Sequence, residues 1–166
     1  MLTTDGFAEF FERDYPSLVL FVMCLGASRA DAEDAAQQAM LEACQKWRTI
    51  RTPRPWARKV AMRAYLKAAR TAKRTSPLEE AQADRPVMDP DLAIFREEQQ
   101  QVMTLIRQLP EEQRKVTALY YDNLRPDEIA LLLGKPEATV RSLLRHARHR
   151  IREVMQSNDN HTATGP

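Results

Sequence analysis

DEIALLLGKPEATVRSLLRHAR, residues 127–148, is a short helix, a sharp turn and the start of a longer helix. Ile129, Leu132 and Leu133 fall on one side of the first helix, and the small Ala130 allows a second helix to approach closely. Gly134 supplies the backbone freedom of the turn, and Lys135-Pro136 completes it before a helix that opens at Glu137. Val140, Leu143 or Leu144, Ala147 and Ile151 recur at helical spacing and mark the inward face of that helix, which runs to about Met155. The outward face carries Thr139, Arg141, Ser142, Arg145, His146, Arg148 and His149. Any helical hairpin could share the apolar spacing. The arginines are less ordinary: no carboxylate follows Glu137 until Glu153, so they point to an external anion. A helix-turn-helix presents the polar residues at the start of its second helix to base edges. Arginine can bond guanine through two hydrogen bonds, and serine or threonine can bond base or phosphate. His146 and His149 lack a third ligand nearby, so no metal site is expected.

Upstream, the pattern stays helical. Helices are expected over about 92–109, from Pro110 to about Tyr121, and from Arg125-Pro126 to Leu133. Before them, residues 76–91 hold prolines and acids without apolar periodicity and read as a tethering linker. The N-terminal part opens with a helix over about 5–25, whose Phe7, Phe10, Phe11, Leu18, Phe21, Val22 and Leu25 form a stripe. Pro16 predicts a kink or break near Tyr15, and Gly26 suits a C-terminal cap. A second helix starts after Ser28, with Asp31, Glu33 and Asp34 at its positive end, and runs to about Trp47. Residues 48–55 read as a loop, and a third helix covers about 55–75. The tail, 156–166, is polar and expected to be disordered. No repeat and no credible strand is found. The fold class is therefore all-α: two helical modules, 1–75 and 92–155, on a flexible linker.

Charge is segregated along the chain. The net charge of +2 conceals a block at 51–75 with nine bases and no acid: Arg51, Arg54, Arg58, Lys59, Arg63, Lys67, Arg70, Lys73 and Arg74. A second basic block, 136–155, sets five arginines against two glutamates, while 1–50 and 76–105 are acidic. A basic run can be a hydrated helix face, but nine bases without an acid repel one another unless a polyanion is near. Trp56, Val60, Tyr65 and Leu66 do not make the wide apolar face that a membrane-surface helix needs.

Several function classes drop out. At 166 residues with 43% hydrophobic and 29% charged, the chain can bury a core and remain soluble. No apolar run approaches the ~20 residues of a membrane span, and the acidic start does not resemble a secretory signal. A cytoplasmic location follows as the default, with Cys24 and Cys44 as buried, reduced thiols. No phosphate-binding loop, nucleophile elbow or HExxH appears, so an enzyme is not expected and no cofactor is implied.

Three stretches resemble the extracytoplasmic-function (ECF) sigma factors of bacterial RNA polymerase. They are RADAEDAAQQAMLEACQKW (29–47), PRPWARKVAMRAYL (53–66), and LPEEQRKV (109–116) continued by the helix-turn-helix. Together they cover most of residues 7–155 in the family's order. The resemblance implies a region 2-like bundle of three to four helices that binds core polymerase and the −10 element, and a region 4-like helix-turn-helix bundle that reads the −35 element. It assigns Asp34, Gln37, Gln38 and Glu42 to the polymerase clamp. Arg51 to Arg54 fall in the loop that captures a flipped −10 base, and Trp56, Arg58, Lys59, Arg63, Lys67 and Arg70 in the helix along −10 DNA. Thr139, Arg141, Ser142, Arg145 and His146 take −35 positions, with Arg148 nearer phosphate. The implied partners are core RNA polymerase, through clamp and flap, and promoter DNA. An anti-sigma protein is a further partner that the resemblance allows, and no membrane is implied.

A second reading is an autonomous helix-turn-helix regulator. It would need a dimerisation surface, and no heptads or extra helix provide one. For Asp34, a first-turn charge on the helix dipole is a purely structural alternative.

Overall fold

A computed structural model describes residues 6–75 and 90–162. Their regular structure is helical: α1 (Phe7–Cys24), α2 (Arg29–Lys46), α3 (Pro53–Thr75), α4 (Glu97–Arg107), α5 (Glu111–Tyr121), α6 (Pro126–Leu133) and α7 (Glu137–Thr162). Short 3-10 turns occupy Trp47–Thr49 and Pro90–Leu92.

Helices α1, α2 and α3 pack against one another as a bundle. Helix α2 brings Ala32, Ala35, Ala36, Ala39 and Ala43 to its inner face, so its backbone approaches its neighbours closely. Larger side chains from the others, Phe10, Leu18, Phe21 and Met62, fill the remaining core. Each large apolar side chain so buried contributes roughly 1.5–3 kcal/mol. The Ser28 hydroxyl accepts the Asp31 amide at 3.1 Å and starts α2. At the end of α1, Gly26 adopts φ +113°, which allows the chain to reverse into α2.

Helices α4 to α7 form the second bundle around Met103, Ile106, Val116, Leu119, Ile129, Val140 and Leu144. The two bundles share one continuous core, with α1 against α4 and α5, and α3 against α6. The expected linker, 76–91, lies outside the described residues except for its last two. There the structure differs from a loose tether. Leu92 is buried, and the Asp91 carboxylate accepts the Arg29 amide at 2.9 Å, adding a second cap to α2.

Four expected boundaries move. Helix α1 runs unbroken through Pro16, and the Ser17 hydroxyl donates to the Asp14 carbonyl just beyond it. Helix α3 starts at Pro53, two residues earlier than expected, because Pro tolerates the first helical turn. Helix α4 starts at Glu97, where the Gln99 side chain turns back to accept the Arg96 amide and the Gln100 side chain donates to the Phe95 carbonyl. Helix α7 continues to Thr162, so the tail expected to be disordered from 156 is helical that far. No Gly or Pro follows Pro136 until Gly165, and nothing in the sequence stops the helix sooner.

Candidate nucleic-acid interface

The turn between α6 and α7 is built from local chemistry. Pro126 stands in the first turn of α6, and Gly134 closes that helix at φ 63°, a left-handed conformation. The Lys135 amide returns to the Ala130 carbonyl at 3.0 Å. The Lys135 ammonium reaches Glu112 at 2.9 Å and ties the turn to α5. Hydrogen bonds from Lys135 and then Lys115 hold the Glu112 carboxyl below the ordinary glutamate range.

Helix α7 buries Val140, Leu144 and Ala147, while Leu143 and Ile151 are half-buried. Thr139, Arg141, Arg145, His146 and Arg148 are exposed, and Ser142 is half-buried. Arg145, His146, Arg148, His149 and Arg152 line an open concavity of about 380 Å³. Two local partners qualify the expectation of unpaired cations. Arg141 forms an ion pair with Glu137 at 2.6 Å, and His149 lies 3.2 Å from Glu153. Arg148 stacks over the Tyr120 ring, 5.3 Å from its centroid. Tyr120 escaped the sequence reading because it belongs to α5 and only tertiary packing brings it there.

The basic row on α3 divides in two. Arg63, Lys67 and Arg70 are exposed, Lys59 and Trp56 are half-buried, and Arg51 is exposed in the bend before the helix. Arg54 lies in the first turn of α3, not in a loop. Arg58 departs furthest from its expected role along DNA. Its side chain is fully buried and forms ion pairs with Asp14 and with Asp122, the latter at 2.6 Å. It also donates to the Ser17 hydroxyl at 2.9 Å. Arg54 joins the cluster at 3.0 Å from Asp122. Two members of the block that contains no acid in sequence, Arg54 and Arg58, therefore take their counter-charges from α1 and from the end of α5. Asp14 was legible as an acid within an apolar stripe, whereas nothing local marked Asp122.

On α2, Asp34, Gln37 and Gln38 are exposed and Glu42 is half-buried. Gln38 donates to Glu42 at 3.4 Å, and Gln37 to the Tyr15 hydroxyl at 3.4 Å. Leu41 stands on this helix 61% exposed, out of phase with the buried alanines. Phe11 and Tyr15 stack 5.0 Å apart on the neighbouring helix. This face thus combines acids, amides and apolar groups, as protein-binding surfaces do.

Comparison with known proteins agrees with this layout. Residues 10–75 match the family model Sigma-70 region 2, and residues 99–151 match Sigma-70, region 4. The chain is 30% identical over 158 residues to the ECF RNA polymerase sigma factor RpoE of Cereibacter sphaeroides, covering 90% of this chain and 86% of that one. It is 32% identical over 142 residues to RfaY of Xanthomonas campestris pv. campestris, described as a probable RNA polymerase sigma factor. That match covers 78% of this chain, which spans only 36% of the relative. Among solved structures, the sigma factor RpoE in complex with the anti-sigma factor NepR from Bartonella quintana shares the fold at TM-score 0.73 and 18% identity, over 92% of this chain and 98% of that one. CnrH in complex with the cytosolic domain of CnrY shares it at TM-score 0.67 and 16% identity, over 93% and 90%. Among the described residues, no helix is long and apolar enough to cross a membrane.

Proposed function

The chain belongs to the ECF sigma factors, the subunits that bind core RNA polymerase and direct promoter-specific transcription initiation, and on that premise we propose how its residues divide the work. The acid, amide and apolar face of α2, with Asp34, Gln37, Gln38 and Glu42, docks on the polymerase clamp, and the second module engages the flap. Arg51, Arg54 and the α3 row of Trp56, Lys59, Arg63, Lys67 and Arg70 hold the −10 region, where a cationic groove and an aromatic ring suit separated strands. Thr139, Arg141, Ser142, Arg145 and His146 enter the major groove at −35, with Arg148 on phosphate. The protein works in the cytoplasm and performs no chemistry of its own. An anti-sigma protein covering these surfaces would silence it; one structural neighbour, RpoE of Bartonella quintana, is in complex with the anti-sigma factor NepR.

The observation that carries this reading is the pair of exposed cationic helix faces, one on each module. Purified protein added to core polymerase is expected to bind it and to yield specific run-off transcripts from a cognate promoter. Failure both to bind core and to redirect it overturns the proposal. Tight duplex binding without polymerase would instead favour an autonomous regulator.

A further inference from the structure

We propose that Asp122 is an internal latch. Its carboxylate occupies the Arg54–Arg58 guanidinium pair and holds the two modules closed, so that Arg54 meets DNA only after the modules part. The inference rests on the sigma-factor reading for its consequence, though not for its geometry.

The latch joins residues that are distant in sequence. Asp122 closes α5, and its side chain is 8% exposed where it meets the fully buried Arg58. Asp14, the other partner of Arg58, belongs to the same module as Arg58 and stays with it when the modules separate. Asp122 alone comes from the opposite module. Around it, Arg107 donates to the Met23 and Ala27 carbonyls at 2.9 Å, and Arg114 to the Leu25 carbonyl at 3.3 Å. Guanidinium groups of the second module thus hold the end of α1, while a carboxylate of the second module holds the start of α3.

Charge makes this closure conditional. With Asp122 in place, two carboxylates face two guanidiniums. Without it, Arg54 and Arg58 share Asp14 as their one carboxylate. Arg54 is half-exposed and keeps the Asp122 carbonyl at 2.5 Å, but Arg58 is fully buried and gains no water in exchange. Parting the modules restores hydration, so the penalty of the missing carboxylate falls on the closed form only.

The closed form cannot serve a promoter. Elements named −10 and −35 lie about 25 base pairs apart, roughly 85 Å at ~3.4 Å per base pair. A folded body of 166 residues has a radius of gyration of only about 15 Å. The two reading faces must therefore move apart, and Arg54 must exchange the Asp122 carboxylate for phosphate.

The test compares the full chain with Asp122→Ala, Asp122→Lys and the control Asp127→Ala, whose carboxylate pairs with Arg125 of its own module. Small-angle X-ray scattering gives the dimensions, circular dichroism the helicity, and titration with core polymerase the affinity. Both Asp122 variants are expected to keep their helicity and to scatter as larger particles. They should also bind core about threefold tighter or more, the factor withheld when about two thirds of the molecules are closed. Asp127→Ala should match the parent. Parent-like dimensions and affinity in both Asp122 variants would overturn the latch. Should either lose helicity, Arg54→Gln probes the same contact from its half-exposed side, and unchanged dimensions there overturn the latch too. Expansion in a family of variants none of which binds core would leave the latch standing and overturn the polymerase-binding assignment.

Discussion

Arg58 shows how far a residue's sequence neighbourhood can mislead. It stands among nine bases in 25 residues, which suggests a hydrated cation, yet its side chain is fully buried between Asp14 and Asp122. Replacing it with alanine would leave two buried carboxylates with the half-exposed Arg54 as their one remaining counter-charge. Urea denaturation of Arg58→Ala is expected to show a loss of about 3–5 kcal/mol, and a loss below 1 would refute the pairing. Arg145 is the opposite case, exposed on α7 as its spacing predicts. Arg145→Ala should cost about 1–3 kcal/mol at one −35 base pair. Uniform weakening over all promoter variants in a binding titration would move it to a phosphate role. Glu112 provides a pH signature. Its carboxyl is held below the ordinary value of 4.5 by Lys135 and Lys115, so its contribution to stability is present above that value and is lost as pH falls through the lower folded one. Melting curves should therefore separate Glu112→Gln from the parent at neutral pH and bring the two together in strong acid. A constant gap across that range would contradict the assignment.

At the level of elements, helix ends depended on chemistry that single-residue propensity does not carry. The start of α4 needed two glutamine side chains folded back onto the chain, and the end of α7 needed only the absence of any stop. Pro16 failed to break α1 because helix packing outweighed one missing hydrogen bond. Elements with strong punctuation were legible. Ser28 before α2, and Pro126 and Gly134 around α6, lie where the pattern placed them. Gly134 offers a clean measurement, since a Cβ there would meet nothing within 4 Å. Gly134→Ala should destabilise the protein by about 1–2 kcal/mol through its positive φ alone. Thermal unfolding would check the loss, and a neutral change would show that the turn relaxes.

For the whole molecule, the class and order of the helices followed from periodicity, and the exposed faces of α2, α3 and α7 from charge. The packing of one bundle on the other did not. Its contacts run between Arg54, Arg58 and Asp122, and between Arg107 or Arg114 and the end of α1, all far apart in the chain and without local pattern. A segment rich in proline and acids implied separation, and distance in sequence concealed the ion pairs that oppose it.

The end of α1 makes that opposition measurable. No basic residue stands in its last turn, so the negative pole of the helix is served by guanidiniums on loan from the other bundle. When the bundles part, these carbonyls face water and the last turn loosens. Deuterium uptake at the amides of Leu25 and Gly26 should therefore rise together with that at the Arg29 amide, which loses Asp91 in the same event. Three backbone positions become a clock for how often the molecule opens, legible by mass or resonance without any label attached.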